Sequence, residues 1–103
     1  MSATTGDGQS WVSTSYRVVA LNRAVAVGFA CGADAGLTAL DALSAEPQLA
    51  GYGYLPAARA DFLRRLGRPA EAREAYEEAL LLTENAVERR FLAGRLREVG
   101  GRG

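Results

Sequence analysis

The chain has 103 residues, enough for one domain, and its 12 Lys+Arg are balanced by 12 Asp+Glu for a formal net charge of zero. That balance lacks the basic surplus that marks nucleic-acid-binding domains and proteins drawn to an anionic membrane surface. There is no His, which removes the usual general base, the commonest metal ligand and a pH switch near neutrality, and the single Cys31 cannot close an intramolecular disulfide.

In chain order, "MSATTGDGQS" lacks the basic and apolar regions of a secretory signal. No apolar run approaches the roughly 18 residues that a membrane span needs, so a soluble cytoplasmic chain is expected. Residues 1–15 are rich in Gly, Ser and Thr, the composition of a disordered arm, with Trp11 the one residue suited to docking on the body. "YRVVALNRAVAVGFA", Tyr16 to Ala30, mixes valines with Ala20, Leu21, Ala24 and Ala26, which favours a buried helix over a strand. Cys31 is expected as a small buried residue at its end. In "DAGLTALDALSA" Asp34 can cap, and Leu37, Leu40 and Leu43 recur at helical spacing. Pro47, Gly51 and Gly53 then break the chain.

The third helix, about Leu55 to Leu66, sets Leu55, Phe62, Leu63 and Leu66 on one side. Gly67 ends it, and Pro69 opens the fourth helix in its first turn, where a missing N–H costs nothing. That helix runs to about Leu82 with Ala72, Ala75, Tyr76, Ala79 and Leu80 facing inward. Thr83 or Asn85 caps a fifth helix with Phe91, Leu92, Leu96 and Val99 as its stripe, and residues 100–103 form a frayed tail. The body, 16–99, is therefore all-α: five helices on short loops, which forces neighbours antiparallel.

The chain also repeats itself. Arg23-Ala24 returns as Arg59-Ala60 thirty-six positions on, and at the same offset Gly36 meets Ala72 and Leu40 meets Tyr76. Small residues at equivalent positions are what two closely crossing helical hairpins require, because a larger side chain would wedge them apart. Glu71, Glu74, Glu77 and Glu78 fall on the outer face of the fourth helix, with no nucleophile, metal partner or phosphate cradle near them. They are read as a solvated face. No catalytic residue, cofactor or metal site is expected, and the chain is read as a non-enzyme.

"LGRPAEAREAYEEALLL" resembles the tetratricopeptide repeat, with Gly67 at the turn followed by Ala72, Tyr76 and Ala79. Pro56, Arg59 and Glu84 depart from that pattern. The resemblance implies a short α-solenoid of two tetratricopeptide-like hairpins plus a C-terminal capping helix. "VVALNRAVAVGFACGADAGLTALDAL", "GYGYLPAARADFLRRLGR" and "ENAVERRFLAGRLREV" further resemble the C-terminal extension of extracytoplasmic-function RNA polymerase sigma factors of the sigma-24-like group. The two promoter-recognising domains of that family are absent from this sequence. By resemblance the chain is expected to regulate transcription through contacts with sigma-factor domains or RNA polymerase, without recognising promoters itself.

Arg23 and Arg59 fall on or beside apolar stripes, where a buried guanidinium needs carboxylates or helix-end carbonyls. Asp41, Asp61 and Glu88 are the carboxylates best placed, either in a structural ion pair or with one arginine left facing a groove. In tetratricopeptide arrays the first helix of each hairpin lines the concave face, which by resemblance makes Asn22, Tyr54, Asp61, Arg64 and Arg65 groove-side candidates. Val25 and Phe29, with Val18, Val19 and Val27, give the first hairpin more apolar surface than one partner helix covers, so it is expected to self-associate or to bind sigma-factor helices. The alternatives are direct nucleic-acid binding through Arg64, Arg65, Arg68, Arg89, Arg90, Arg95 and Arg97, and a nonfunctional truncated remnant.

Overall fold

The computed structural model describes residues 2–100, with side chains from Tyr16 onward. Five α-helices and one 3-10 turn make up that stretch: α1 Ser2–Cys31, α2 Ala33–Ser44, the turn Pro47–Leu49, α3 Tyr54–Arg65, α4 Pro69–Leu82 and α5 Ala86–Gly100. There is no strand among the described residues. α1 starts at Ser2, so helical backbone spans the stretch that composition assigned to a disordered arm, and Gly100 belongs to α5 rather than to a tail. No proline interrupts residues 2–31. Extending a helix costs far less than nucleating one, so packing of α1 beyond Tyr16 can propagate toward the N-terminus. The docking of Trp11 lies outside the described side chains.

α1 reverses into α2 through the single residue Gly32, whose φ of 108° suits only glycine. Tyr16 donates to Glu46 at 2.5 Å near one end of the pair, while Gly28 and Gly36 touch at the other, so the two helices run antiparallel. α3 and α4 form a second antiparallel hairpin, with Gly53 beside Leu82 and Thr83 and with Arg64 reaching Tyr76. Between them Gly67 takes φ 73°, its N–H bonds Arg64 O at 3.1 Å, and Arg68 N–H bonds Leu63 O at 3.0 Å. This is a Schellman end that satisfies α3's last carbonyls, and Pro69 follows as the first residue of α4. Asn85 caps α5 by accepting the Glu88 N–H at 3.0 Å.

Ala24, Ala60, Ala72 and Ala79 are all buried, beside the fully buried Leu40, Leu63 and Tyr76. Each helix packs mainly on its chain neighbours, α3 on α4 most extensively, with further contact between α1 and α3. The hairpins meet at Phe62. A side chain on Gly36 would put its Cβ 2.7 Å from Phe62 Cε2 and 2.8 Å from Gly28 Cα, and one on Gly28 would overlap the same ring. The ring thus fills a notch that exists only because both positions are glycine. Two expectations differ from this arrangement. Phe91 is 59% exposed, because α5 turns Leu92, rather than Phe91, into the core. Cys31 is exposed, as the last residue before the Gly32 reversal.

Gly→Ala in a helix normally stabilises by up to about 1 kcal/mol. At Gly36 the added methyl would press on backbone, whereas at Gly94 of α5 it would meet nothing closer than Arg97 Nη2 at 3.9 Å. Urea melts should therefore show Gly36→Ala destabilised, overpacking costing about 1–3 kcal/mol, and Gly94→Ala unchanged or stabilised. A stabilised Gly36→Ala would refute the notch.

Candidate protein-interaction surface

Asn22, Val25 and Phe29 follow Val18 along α1 at steps of four, three and four residues, which places them on one face of the helix. Asn22 is exposed, Val25 is half-buried against the core, and Phe29 is 64% exposed with its ring edge-on to Phe62, centroids 6.1 Å apart. Arg65 of α3 lies over the Phe29 ring at 5.2 Å and also donates to Asp61 at 2.9 Å. Arg64 donates to the other Asp61 oxygen at 2.5 Å and to the Tyr76 hydroxyl at 3.4 Å. Its hydrogen bond to Asp61, then that to Tyr76, makes the guanidinium hold its proton more tightly. Asp61 is thus a shared anchor for two arginines. Tyr54, half-exposed at the start of α3, donates to Glu88 of α5, and that hydrogen bond raises its hydroxyl above the ordinary pKa. The structure brings Phe29, Asp61, Arg64 and Arg65 together, while Tyr54 joins α5 at the other end of α3.

The expected buried arginine pair is corrected. Arg59 does reach Asp41, Nε to Oδ1 at 2.9 Å, but the two side chains are 37% and 56% exposed. Arg23 is exposed and joins no ion pair among the described residues, because it sits one helical step round from the buried Ala24. Glu88 serves Tyr54 and neither arginine. Arg23 instead helps line an open groove of about 390 Å³ between α1 and α2, with Val19, Ala20, Val27, Ala39 and Leu43 as its apolar wall. Composition flagged Val19 and Val27 as apolar, but the groove itself depends on how α2 lies along α1.

The arginines named for nucleic-acid binding are mostly engaged. Arg64 and Arg65 hold Asp61, Arg68 donates to both Glu71 oxygens at 2.7 and 2.8 Å, and Arg95 holds Glu98 at 3.2 Å. Arg89 satisfies the C-terminal carbonyls of α4 at Leu80 and Thr83. Arg90 and Arg97 alone of that set make no such contact among the described residues. Glu71, held below the ordinary carboxylate range by its Arg68 hydrogen bond, is exposed, as are Glu74, Glu77 and Glu78. No group of three His, Cys, Asp or Glu able to hold a metal occurs among the described residues, and no described helix is long and apolar enough to cross a membrane.

No family model matches the sequence. An uncharacterized protein of Rhizobium meliloti (strain 1021) is 41% identical over 75 residues, which is 73% of this chain and 17% of that protein. The chain therefore spans about a sixth of that relative's length. No solved structure matches.

With both partners more than a third exposed, the Arg59–Asp41 pair should contribute only about 0.2–1 kcal/mol. A double-mutant cycle with Arg59→Met and Asp41→Asn should give a coupling in that range, and one near the 3–5 kcal/mol of breaking a buried pair would contradict the observed exposure. The raised Tyr54 pKa carries its own sign. Its stabilising contribution is complete below the ordinary tyrosine value of 10.0 and is lost as pH rises through the folded value. Glu88→Gln should move part of the tyrosine absorbance titration to lower pH, whereas superimposable curves would break the proposed link between α3 and α5.

Proposed function

We propose that the chain is a non-enzymatic protein-interaction domain of transcription regulation, working in the cytoplasm by packing on sigma-factor domains or RNA polymerase. In this reading its two hairpins are tetratricopeptide-like units of a short α-solenoid, and α5 follows them as an end helix. The observation that carries the proposal is the open apolar surface of the first hairpin, where Val18 and Phe29 are exposed on one face of α1 and Val19 is exposed on another, in the α1–α2 groove. Patches of this kind seek a protein neighbour. Helices that pack mainly on their chain neighbours suit a solenoid, and buried small residues at Ala24, Ala60 and Ala72 suit hairpins that cross closely. The likeness of three separate segments to sigma-factor extensions names the class of partner. The much greater length of the relative fits a module that works against other domains. Engagement of most surface arginines by local carboxylates and carbonyls weighs against direct nucleic-acid binding.

Sedimentation of the purified chain, alone and mixed with a purified polypeptide carrying the two promoter-recognising sigma domains, tests the reading. A mixed species is expected, and Val18→Glu with Phe29→Glu should abolish it without unfolding, since both residues are exposed. A monomer that ignores the sigma domains overturns the proposal. A homodimer with no mixed species replaces it with self-association.

A further inference from the structure

Along α1, Tyr16, Ala20, Arg23 and Val27 follow one another at steps of four, three and four residues, which puts them on one helix face. All four line the groove that runs beside α2. Ala20 of α1 and Ala39 of α2 carry too little side chain to close the space between the helices. Val19, Val27 and Leu43 wall what remains, about 390 Å³. The polar groups of this groove sit at two places. Glu46 accepts the Tyr16 hydroxyl at 2.5 Å, so those two satisfy each other at one end. Arg23 lies about two helical turns further along α1, exposed, and its guanidinium makes no hydrogen bond or ion pair among the described residues.

We infer that this groove binds a small amphiphilic carboxylate, a medium-chain fatty acid, with its tail along the valine and leucine walls and its carboxylate on Arg23. Size decides between a small molecule and a helix. Small-molecule sites run from about 300 to 1,000 Å³ and are mostly apolar with a few placed polar groups, whereas a helix with its side chains is about 10–12 Å across. The groove has the volume and the lining of the first kind. Its one guanidinium without a partner takes a carboxylate through two parallel hydrogen bonds, which a planar fork does better than a point charge. Glu46 repels an anion from the Tyr16 end, so the head group is directed to Arg23. The apolar wall supplies the rest, because each methylene fully withdrawn from water raises affinity about fourfold. The site shares Val19 alone with the surface proposed to meet sigma-factor domains, and it does not rest on that reading.

The probe is decanoate, kept below its micelle concentration and titrated into the full chain while methyl resonances are followed by NMR. Saturable shifts are expected at Val19, Val27, Ala39 and Leu43, which line the groove. Decanol has the tail without the charge and should bind about tenfold more weakly, the least that a hydrogen bond to a charged group contributes. Acetate, the head without the tail, should not saturate. Arg23→Gln should lower the decanoate affinity to that of decanol and leave decanol unchanged, a split that a loss of fold would not produce. Ala20→Leu should exclude both ligands by filling the groove, with circular dichroism melts to check that it folds. Phe29→Glu, outside the groove, should change neither affinity. Absence of saturable decanoate binding, equal affinities for decanoate and decanol, an unchanged decanoate affinity in Arg23→Gln, or shifts centred on Phe29 would each overturn the inference.

Discussion

An aromatic ring in a notch without side chains interlocks the two halves of this molecule. Phe62 projects from α3 into the gap where Gly28 of α1 and Gly36 of α2 lack Cβ atoms, close enough that either methyl would overlap it. The short reversal at Gly32 brings those glycines opposite each other, and their close approach leaves a hole of the right size for the ring. The contact also places functional candidates. Phe29 leans edge-on against Phe62, and with one side so occupied it turns the rest of its ring outward, where Arg65 covers it in part. The exposure of Phe29 follows from how the hairpins interlock.

Charge is settled locally. Asp61 receives Arg64 and Arg65 from one turn later on its own helix, Arg68 closes on Glu71, and Arg73 faces Glu77 at 3.6 Å. Pairs at three and four positions cost little chain entropy to form and each adds only a few tenths of a kcal/mol, about 0.2–0.5. Their larger effect is on recognition, because a guanidinium already held by its neighbour offers less to a phosphate. Among the described residues the arginines left without such contacts are Arg23, Arg90 and Arg97, on the first and last helices.

The helices and their inward faces were legible because both depend on local periodicity. The thirty-six-residue offset pointed to Ala24, Ala60 and Ala72, and all three are buried. What the offset could not give is that equivalent positions differ in surroundings. Arg23 and Arg59 correspond, yet only Arg59 meets a carboxylate, since α3 is packed by helices on both sides whereas α1 has α2 as its main neighbour. The Phe62 notch was equally hidden, because its partners lie 34 and 26 positions away and no period links an aromatic to two glycines. Phe91 was assigned inward on hydrophobicity alone. Its neighbour Leu92 takes the core position, and Phe91 is left beneath Arg95, 5.2 Å from its ring.

The two open faces are unlike, and that difference limits what the molecule can do with itself. A helical stack whose two ends were complementary to each other would add copies head to tail without closing. Here the α1 side offers valines and Phe29, while the α5 side offers Gly94 between Arg90 and Arg97, which are exposed and join no ion pair among the described residues. Setting Arg90 and Arg97 against the apolar α1 face would strip water from both cations and return no carboxylate, a penalty of several kcal/mol per ion even after relaxation. Head-to-tail growth is therefore disfavoured by the chemistry of the ends. An apolar surface at one end and an exposed cationic surface at the other leave the stack without a complementary pair of ends.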